Sequence, residues 1–252
     1  MSGCFTKSLL EVRELRKSFS GLEVLRGVST NVRTGEVRAL IGPNGAGKTT
    51  FINTLTGVYP PSAGAVILCG QEITGLPAFK IARRGLIRTC QIASLFLDLT
   101  VLENVAVASR AAEHFCRTSN RVDGNTTDES QEVLKTVEIA HLAASRAGDV
   151  SHGDQRLLEV AIALAVKPSV LLLDEPTAGM SPAETRHFVE LLNGRLRGLY
   201  TIVLVEHDMQ VVMNTADTIS VLALGKIIAE GSPTEVKADA NVQEAYLGSA
   251  YA

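Results

Sequence analysis

Cysteine is scarce: Cys4, Cys69, Cys90 and Cys116 are the only four in 252 residues. So few exclude a disulfide framework in a chain this long, and their spacing fits no zinc site. Reduced thiols are expected. A basic excess is missing too. The 24 lysines and arginines are outnumbered by 27 acids, for a net charge of −3. That balance excludes the usual nucleic-acid footprint. No apolar run approaches the roughly 18 residues of a membrane span. The opening MSGCFTKSLLEVREL has neither the apolar stretch nor the cleavage site of a signal peptide. A soluble chain able to dock on a membrane protein is the expectation. No internal repeat is found.

What is present is globular: 46% hydrophobic and 20% charged residues. The length suits one large domain or two small ones. Short β-type runs with Gly-containing turns fill residues 9–41 and look antiparallel. GAVILCG is a further strand. Thr100 with Glu103 opens a helix by a capping box. The polar stretch 117–130 reads as an exposed loop, with helix resuming at QEVLKTVEIAHLA. SVLLLDEP and TIVLVEHD are buried strands, and TISVLALGKIIAEG is a hairpin turning at Gly225. Ser181, Pro182 and Glu184 start one helix; Ser232 and Glu235 start another. Aliphatic strands alternating with helices predict an α/β fold whose parallel sheet is covered on both faces.

Three strand ends carry chemistry. After EVRALI comes GPNGAGKT, a match to G-x-x-x-x-G-K-[ST] between a strand and a helix. Gly42, Pro43, Asn44, Gly45, Ala46 and Gly47 would form the ATP-binding loop, whose glycines let backbone N–H groups turn inward around the phosphates, with Thr50 following. Lys48 would reach the β/γ-phosphates, and the Thr49 hydroxyl would ligate Mg2+. SVLLLDEP delivers two adjacent acids to a sheet edge, where burying charge needs a reason. Asp174 suits the Mg2+ shell. Glu175 suits a general base for an attacking water. His207 ends LVEH at the same edge. Gln91 and Phe19 taken alone are a loop polar residue and a core aromatic.

VSHGDQRLLEVA, residues 150–161, puts a hydroxyl, an imidazole and a glycine at a helix start. Ser151 with Asp154 fits a cap. The same turn also suits an anion.

In this order the motifs resemble the ATP-binding subunit of an ABC transporter over nearly the whole chain. That resemblance implies a P-loop core of the RecA type with an antiparallel β subdomain. It also implies an inserted α-helical subdomain, roughly residues 92–154, in a single domain spanning 1–252. By position, Phe19 would stack on adenine. Gln91 would sense Mg2+ and water, and link the site to the membrane subunit. Asp174 would act on the metal through water, Glu175 as base, and His207 on the γ-phosphate. Residues 178–181 would cross to a second subunit. Ser151, His152, Gly153, Asp154 and Gln155 take the signature place and would close over ATP held by another subunit. His152 stands where glycine is usual, and Asp154 where glutamine is usual.

The segment GLPAFKIARRGLIRTCQIASLFLDLTVLENV, the insertion at 105–130, LLLDEPTAGMSP, LVEHDM and the tail AYLG resemble the branched-chain amino-acid (LIV-type) uptake subgroup. Glutamine at 91 matches one of that subgroup's two ATPases. Cys90 departs from the aromatic usual before it. The resemblance implies ATP and Mg2+ as cofactors. It further implies transmembrane permease subunits, a second ATPase subunit and, indirectly, a solute-binding protein outside the cell. The chain would sit at the cytoplasmic face of the membrane. Leu95, Phe96 and Leu97 would receive the permease, or else belong to the core. A urea, amide or lipopolysaccharide system, or a soluble ATPase acting on nucleic acid or ribosomes, are the other readings.

Overall fold

Alternation of apolar and polar side chains folds the first strands onto one another. A computed structural model describes residues 8–89, 95–115 and 126–247. β1 (Ser8–Phe19) and β2 (Leu22–Arg33) pair antiparallel, burying Leu10, Val12 and Leu15 against Leu25, Val28 and Val32. β3 (Val37–Ile41) is buried throughout and leads into α1 (Lys48–Leu55). β4 (Ala63–Leu68) and β5 (Gln71–Glu72) return to the first sheet, whose order is β2-β1-β4-β5.

α2 (Ala78–Arg83) precedes β6 (Leu86–Arg88). Three helices follow: α3 (Val101–Phe115), α4 (Thr126–Thr136) and α5 (His152–Ala165). α4 begins at Thr126, so the end of the polar stretch expected as loop is helical instead. Asp128 and Glu129 favour its N-terminus, and the buried Ser130 hydroxyl meets that of Ser109 on α3 at 3.2 Å. Polar composition concealed a helix whose buried side starts on a serine. α5 begins in the helical part and runs on beneath the sheet, where Leu158 and Leu164 join Leu171 and Leu204 in one core.

The second half alternates: β7 (Val170–Asp174), α6 (Pro182–Leu191), β8 (Thr201–Val205), α7 (Met209–Thr215), β9 (Thr218–Ala223), β10 (Lys226–Gly231), α8 (Pro233–Ala238) and α9 (Ala240–Leu247). The second sheet has the order β10-β9-β3-β8-β7-β6. All its neighbours are parallel except β9 and β10, which form the hairpin. One face packs on α1 and the antiparallel sheet, the other on α5 and α6. β3, β8 and β7 lie side by side and end together, which fixes where the chemistry must be.

Candidate functional site: a P-loop pocket and a separate signature cleft

Gly42 follows β3, and no larger residue fits there: a Cβ would stand 2.0 Å from the Leu222 carbonyl oxygen. Gly47 caps α1 at φ 104, a left-handed conformation that a side chain disfavours. This backbone wraps the Lys48 ammonium, which donates to the carbonyls of Gly42 at 2.5 Å and Pro43 at 3.1 Å. Burial pulls the Lys48 pKa below the usual lysine value, and the Glu175 charge works against that fall.

A pocket of about 350 Å³ opens above this loop. Asn44 to Thr50 form one wall; Asp174, Glu175 and His207 form the other. Parallel pairing of β7 with β8 sets Asp174 beside Val205, so that Glu175 and His207 both project past the edge. Glu175 N–H donates to the Val205 carbonyl at 2.9 Å, and Glu175 Oε1 lies 2.6 Å from His207 Nε2. Glu175 has φ 50, a left-handed conformation held by a residue with a β-carbon.

Four residues not singled out in the sequence, Glu206, Thr177, Arg88 and Asn53, support these groups. Glu206 is buried beside His207. Its Oε1 accepts from the Thr177 hydroxyl at 2.6 Å and N–H at 2.9 Å, and its Oε2 accepts from the His207 N–H at 3.1 Å. One carboxylate thus fastens the loop after β7 to the loop after β8. An acid inside an otherwise apolar strand end was its signal. Arg88, at the end of β6, donates to Asp174 Oδ2 at 2.5 Å and to Asn53 Oδ1 on α1 at 2.7 Å. These contacts join residues far apart in sequence, so no local pattern announces them.

Phe19 is 38% exposed, with its ring edge-on to Tyr59 at 5.2 Å and Lys17 Nζ 4.8 Å from its centroid. It does not line the P-loop pocket; Val24 of β2 does. Gln91 and Cys90 lie outside the described residues.

Ser151 caps α5: its hydroxyl accepts from Asp154 N–H at 3.1 Å and donates to Asp154 Oδ2 at 2.7 Å. Gln155 Nε2 donates to the Ala147 carbonyl at 3.0 Å and ties the turn down. The Glu184 carboxylate lies against Gly153, where a Cβ would be 2.4 Å from its Oε1. Hydrogen bonds from Ser181, and further the Gly153 N–H and the His152 imidazole, hold the Glu184 carboxyl below its ordinary pKa. The His152 ring meanwhile abuts Gly179. Ser151, Gly153 and Asp154 line a cleft of about 230 Å³ with Met180 and Glu184, distinct from the P-loop pocket.

A third concavity, about 430 Å³, lies between α2–β6 and α5. Ile87, Leu95, Ile162 and Val166 give it an apolar floor, with Arg83, Arg84, Arg88 and Lys167 around it and Glu159 within. Burial raises the Glu159 pKa, against the opposing pull of Arg156. Phe96 and Leu97 nearby in sequence are 55% and 53% exposed, whereas Leu95 packs against the core.

The sequence matches the family described as ABC transporter over residues 25–178. The family described as Branched-chain amino acid ATP-binding cassette transporter matches over 226–252. The high-affinity branched-chain amino acid transport ATP-binding protein BraF of Pseudomonas aeruginosa is 38% identical, over 97% of this chain and 100% of that one. LivG of Salmonella typhimurium, described in the same words, is 39% identical with the same coverage. The lipopolysaccharide export system ATP-binding protein LptB of Escherichia coli is 31% identical over 95% of this chain and 97% of its own. Among solved structures, an ATP-binding cassette of an ABC transporter in its ADP conformation has a TM-score of 0.84 at 30% identity, covering 96% of this chain and 100% of that one.

Proposed function

The chain belongs to the ATP-binding cassettes of ABC transporters, and we propose that it is the ATP-hydrolysing subunit of an importer for branched-chain amino acids or a related small solute. The observation that carries this reading is likeness along 97% of the chain to BraF and LivG. LptB, at 31%, supports an export system less strongly.

ATP binding follows from the family, and the P-loop pocket is its place. Backbone N–H groups of residues 44–49 and the start of α1 offer donors and a favourable field to the phosphates. Lys48 adds a charge that is already desolvated. Glu175 is the base: it takes the proton of the attacking water as that oxygen bonds to the γ-phosphorus, the bond from that phosphorus to the β–γ bridging oxygen breaks, and ADP leaves with the bond's electron pair. His207 orients Glu175 through their 2.6 Å contact and reaches the phosphoryl group.

Mg2+ fits the donors available. The Thr49 hydroxyl and Asp174 carboxylate line one pocket, and hard oxygen donors suit this ion. Among the described residues no cluster of three His, Cys, Asp or Glu forms an all-protein metal cage. Thr49 and Asp174 would hold the ion beside the nucleotide, where it would offset phosphate charge. Gln91 would add to this shell and to the link with the permease.

The signature cleft and the P-loop pocket are separate within one chain. We assign Ser151 and the Gly153 N–H to nucleotide on a second cassette, whether another copy or a sister subunit. Membrane permease subunits are the partners of such a cassette. The groove floored by Ile87, Leu95 and Val166, with exposed Phe96 and Leu97, is where a permease segment would dock. No helix among the described residues is long and apolar enough to cross a membrane. Residence at the cytoplasmic face would thus be by attachment to those subunits.

Reconstitution with LIV-type permease subunits and a solute-binding protein from the same organism tests the assignment. ATP-dependent accumulation of labelled leucine, isoleucine or valine is expected. ATP-dependent transport of an unrelated solute, with none of these moved, would overturn the substrate class.

A further inference from the structure

The mechanism above leaves Arg88 without a role. Its guanidinium is mostly buried, with its side chain 17% exposed and that of Asp174 9%. A buried ion pair by itself is poor evidence of stabilisation, because desolvation offsets the attraction. The geometry is more specific than a pair. One nitrogen reaches Asp174 Oδ2 at 2.5 Å while the other reaches Asn53 Oδ1 at 2.7 Å, on the helix that begins with Lys48 and Thr49. Parallel pairing of β6 with β7 sets Arg88 beside Leu172, and Thr89 N–H donates to the Leu172 carbonyl at 2.9 Å. The guanidinium is thereby a fixed fork joining the two elements that carry the donors for Mg2+.

We propose that Arg88 is a positioning residue for the metal site: it clamps one oxygen of Asp174 and turns the other toward the nucleotide pocket. The inference rests on the ATP-site reading given above. A carboxylate on a strand end can rotate about its χ angles. Held through Oδ2, it presents Oδ1 at a constant place relative to Thr49, because the same guanidinium also holds Asn53 one turn further along α1. Outer-sphere partners of this kind usually contribute about ten- to a hundredfold to metal affinity. Lysine cannot reproduce the effect, since a single ammonium lacks the planar fork that spans two acceptors.

The test measures binding rather than turnover. A fluorescent, non-hydrolysable ATP analogue is titrated onto the full chain without Mg2+ and at a series of Mg2+ concentrations. The wild type is expected to bind more tightly as Mg2+ rises, with a defined midpoint. Arg88→Ala and Arg88→Lys should move that midpoint about ten- to a hundredfold upward, with Mg2+-free affinity within about twofold of wild type. Asn53→Ala keeps the charge pair but frees the fork, and should shift the midpoint in the same direction by less. Melting curves accompany each variant; if Arg88→Ala does not fold, Arg88→Lys and Asn53→Ala decide. Lower melting temperatures with unchanged midpoints in the folded variants would make Arg88 a structural tie only, and overturn the inference. Equal loss of Mg2+-free and Mg2+-dependent affinity would overturn it too. A wild-type chain that binds no nucleotide would instead defeat the ATP-site reading itself.

Discussion

His207 Nε2 lies 2.6 Å from Glu175 Oε1, the histidine after β8 meeting the acid after β7. Neither side chain is deeply buried: the histidine is 47% and the glutamate 27% exposed. The contact is therefore open to a phosphoryl group and to water, and its value lies in orientation.

Replacing Glu175 by glutamine keeps its size and its contact with His207 but removes its capacity to take a proton, the role proposed for it. Glu175→Gln is expected to bind ATP normally and to hydrolyse it about 10²–10⁴-fold more slowly. Turnover and nucleotide affinity are measured together. Turnover near that of the wild type would return Glu175 to the role of a strand-end acid.

Phe19 tests where adenine lies. Its ring already meets Tyr59 and Lys17, so a base stacked on it would extend an existing platform. Stacking contributes roughly 1–3 kcal/mol, and Phe19→Ala should weaken ATP and GTP binding alike because a π-face does not read base edges. Unchanged affinity in a folded Phe19→Ala variant would leave the ring a surface aromatic.

Lys48→Ala and Ser151→Arg test sharing of the site between cassettes. In a mixed dimer both defects fall in one composite site and the other stays intact. Mixing the two inactive variants should restore part of the ATPase activity. If the native pair is a heterodimer, each change goes on a different partner within the assembled transporter. A dimer with one mutated P-loop is the control for a requirement that both sites work. An active control beside a dead mixture, with exchange confirmed, would leave Ser151 a helix cap only.

Glu184 now occupies the ground beside Gly153 that the second cassette's phosphate would approach. Glu184→Gln removes that negative charge while keeping a side chain able to accept at the α6 cap. ATP-induced association of cassettes carrying Glu175→Gln should need less nucleotide when Glu184→Gln is added, by about several-fold given the 0.3–1 kcal/mol typical of a charge at a helix start. Sedimentation across an ATP series reads this directly, and an unchanged or higher midpoint would show that the carboxylate does not oppose closure.

Glu159 predicts a pH dependence. Burial lifts its folded-state pKa above the unfolded value. Between those two values the folded chain binds more protons, so this group's contribution is full below the unfolded pKa and fades as pH rises through the folded one. Stability measured by urea denaturation from pH 4 to 8 should therefore decline less steeply in Glu159→Gln than in the wild type. Parallel profiles would assign the wild-type slope to other groups.

Sequence pattern reached furthest where one short segment carries both the element and its chemistry. Residues 42–49 sit between a strand and a helix, SVLLLDEP ends on its acids, and LVEH ends on its histidine; all three converge on one pocket. Ser181 and Ser232 both form full capping boxes, because that bonding pattern is local to four residues. Pattern failed for Thr126–Thr136, whose buried side begins at Ser130 rather than at an aliphatic. It also failed for the supports of the site. Arg88 meets Asp174 across 86 residues and Asn53 across 35, while Glu206 meets Thr177 across 29. Such bonds follow from strand order, and strand order is not written in any single window.

Glu175 sits in a backbone conformation that a residue with a β-carbon occupies at an expense of on the order of 1 kcal/mol. Glycine, and asparagine nearly as well, would relax there. Screening a library of this protein for heat tolerance alone would therefore favour variants that have exchanged the proposed general base for a turn former. They would be sturdier and inert. With Glu175 as the proposed base, directed evolution at this position would have to select on phosphate release, because durability and turnover would rank its residues in opposite order.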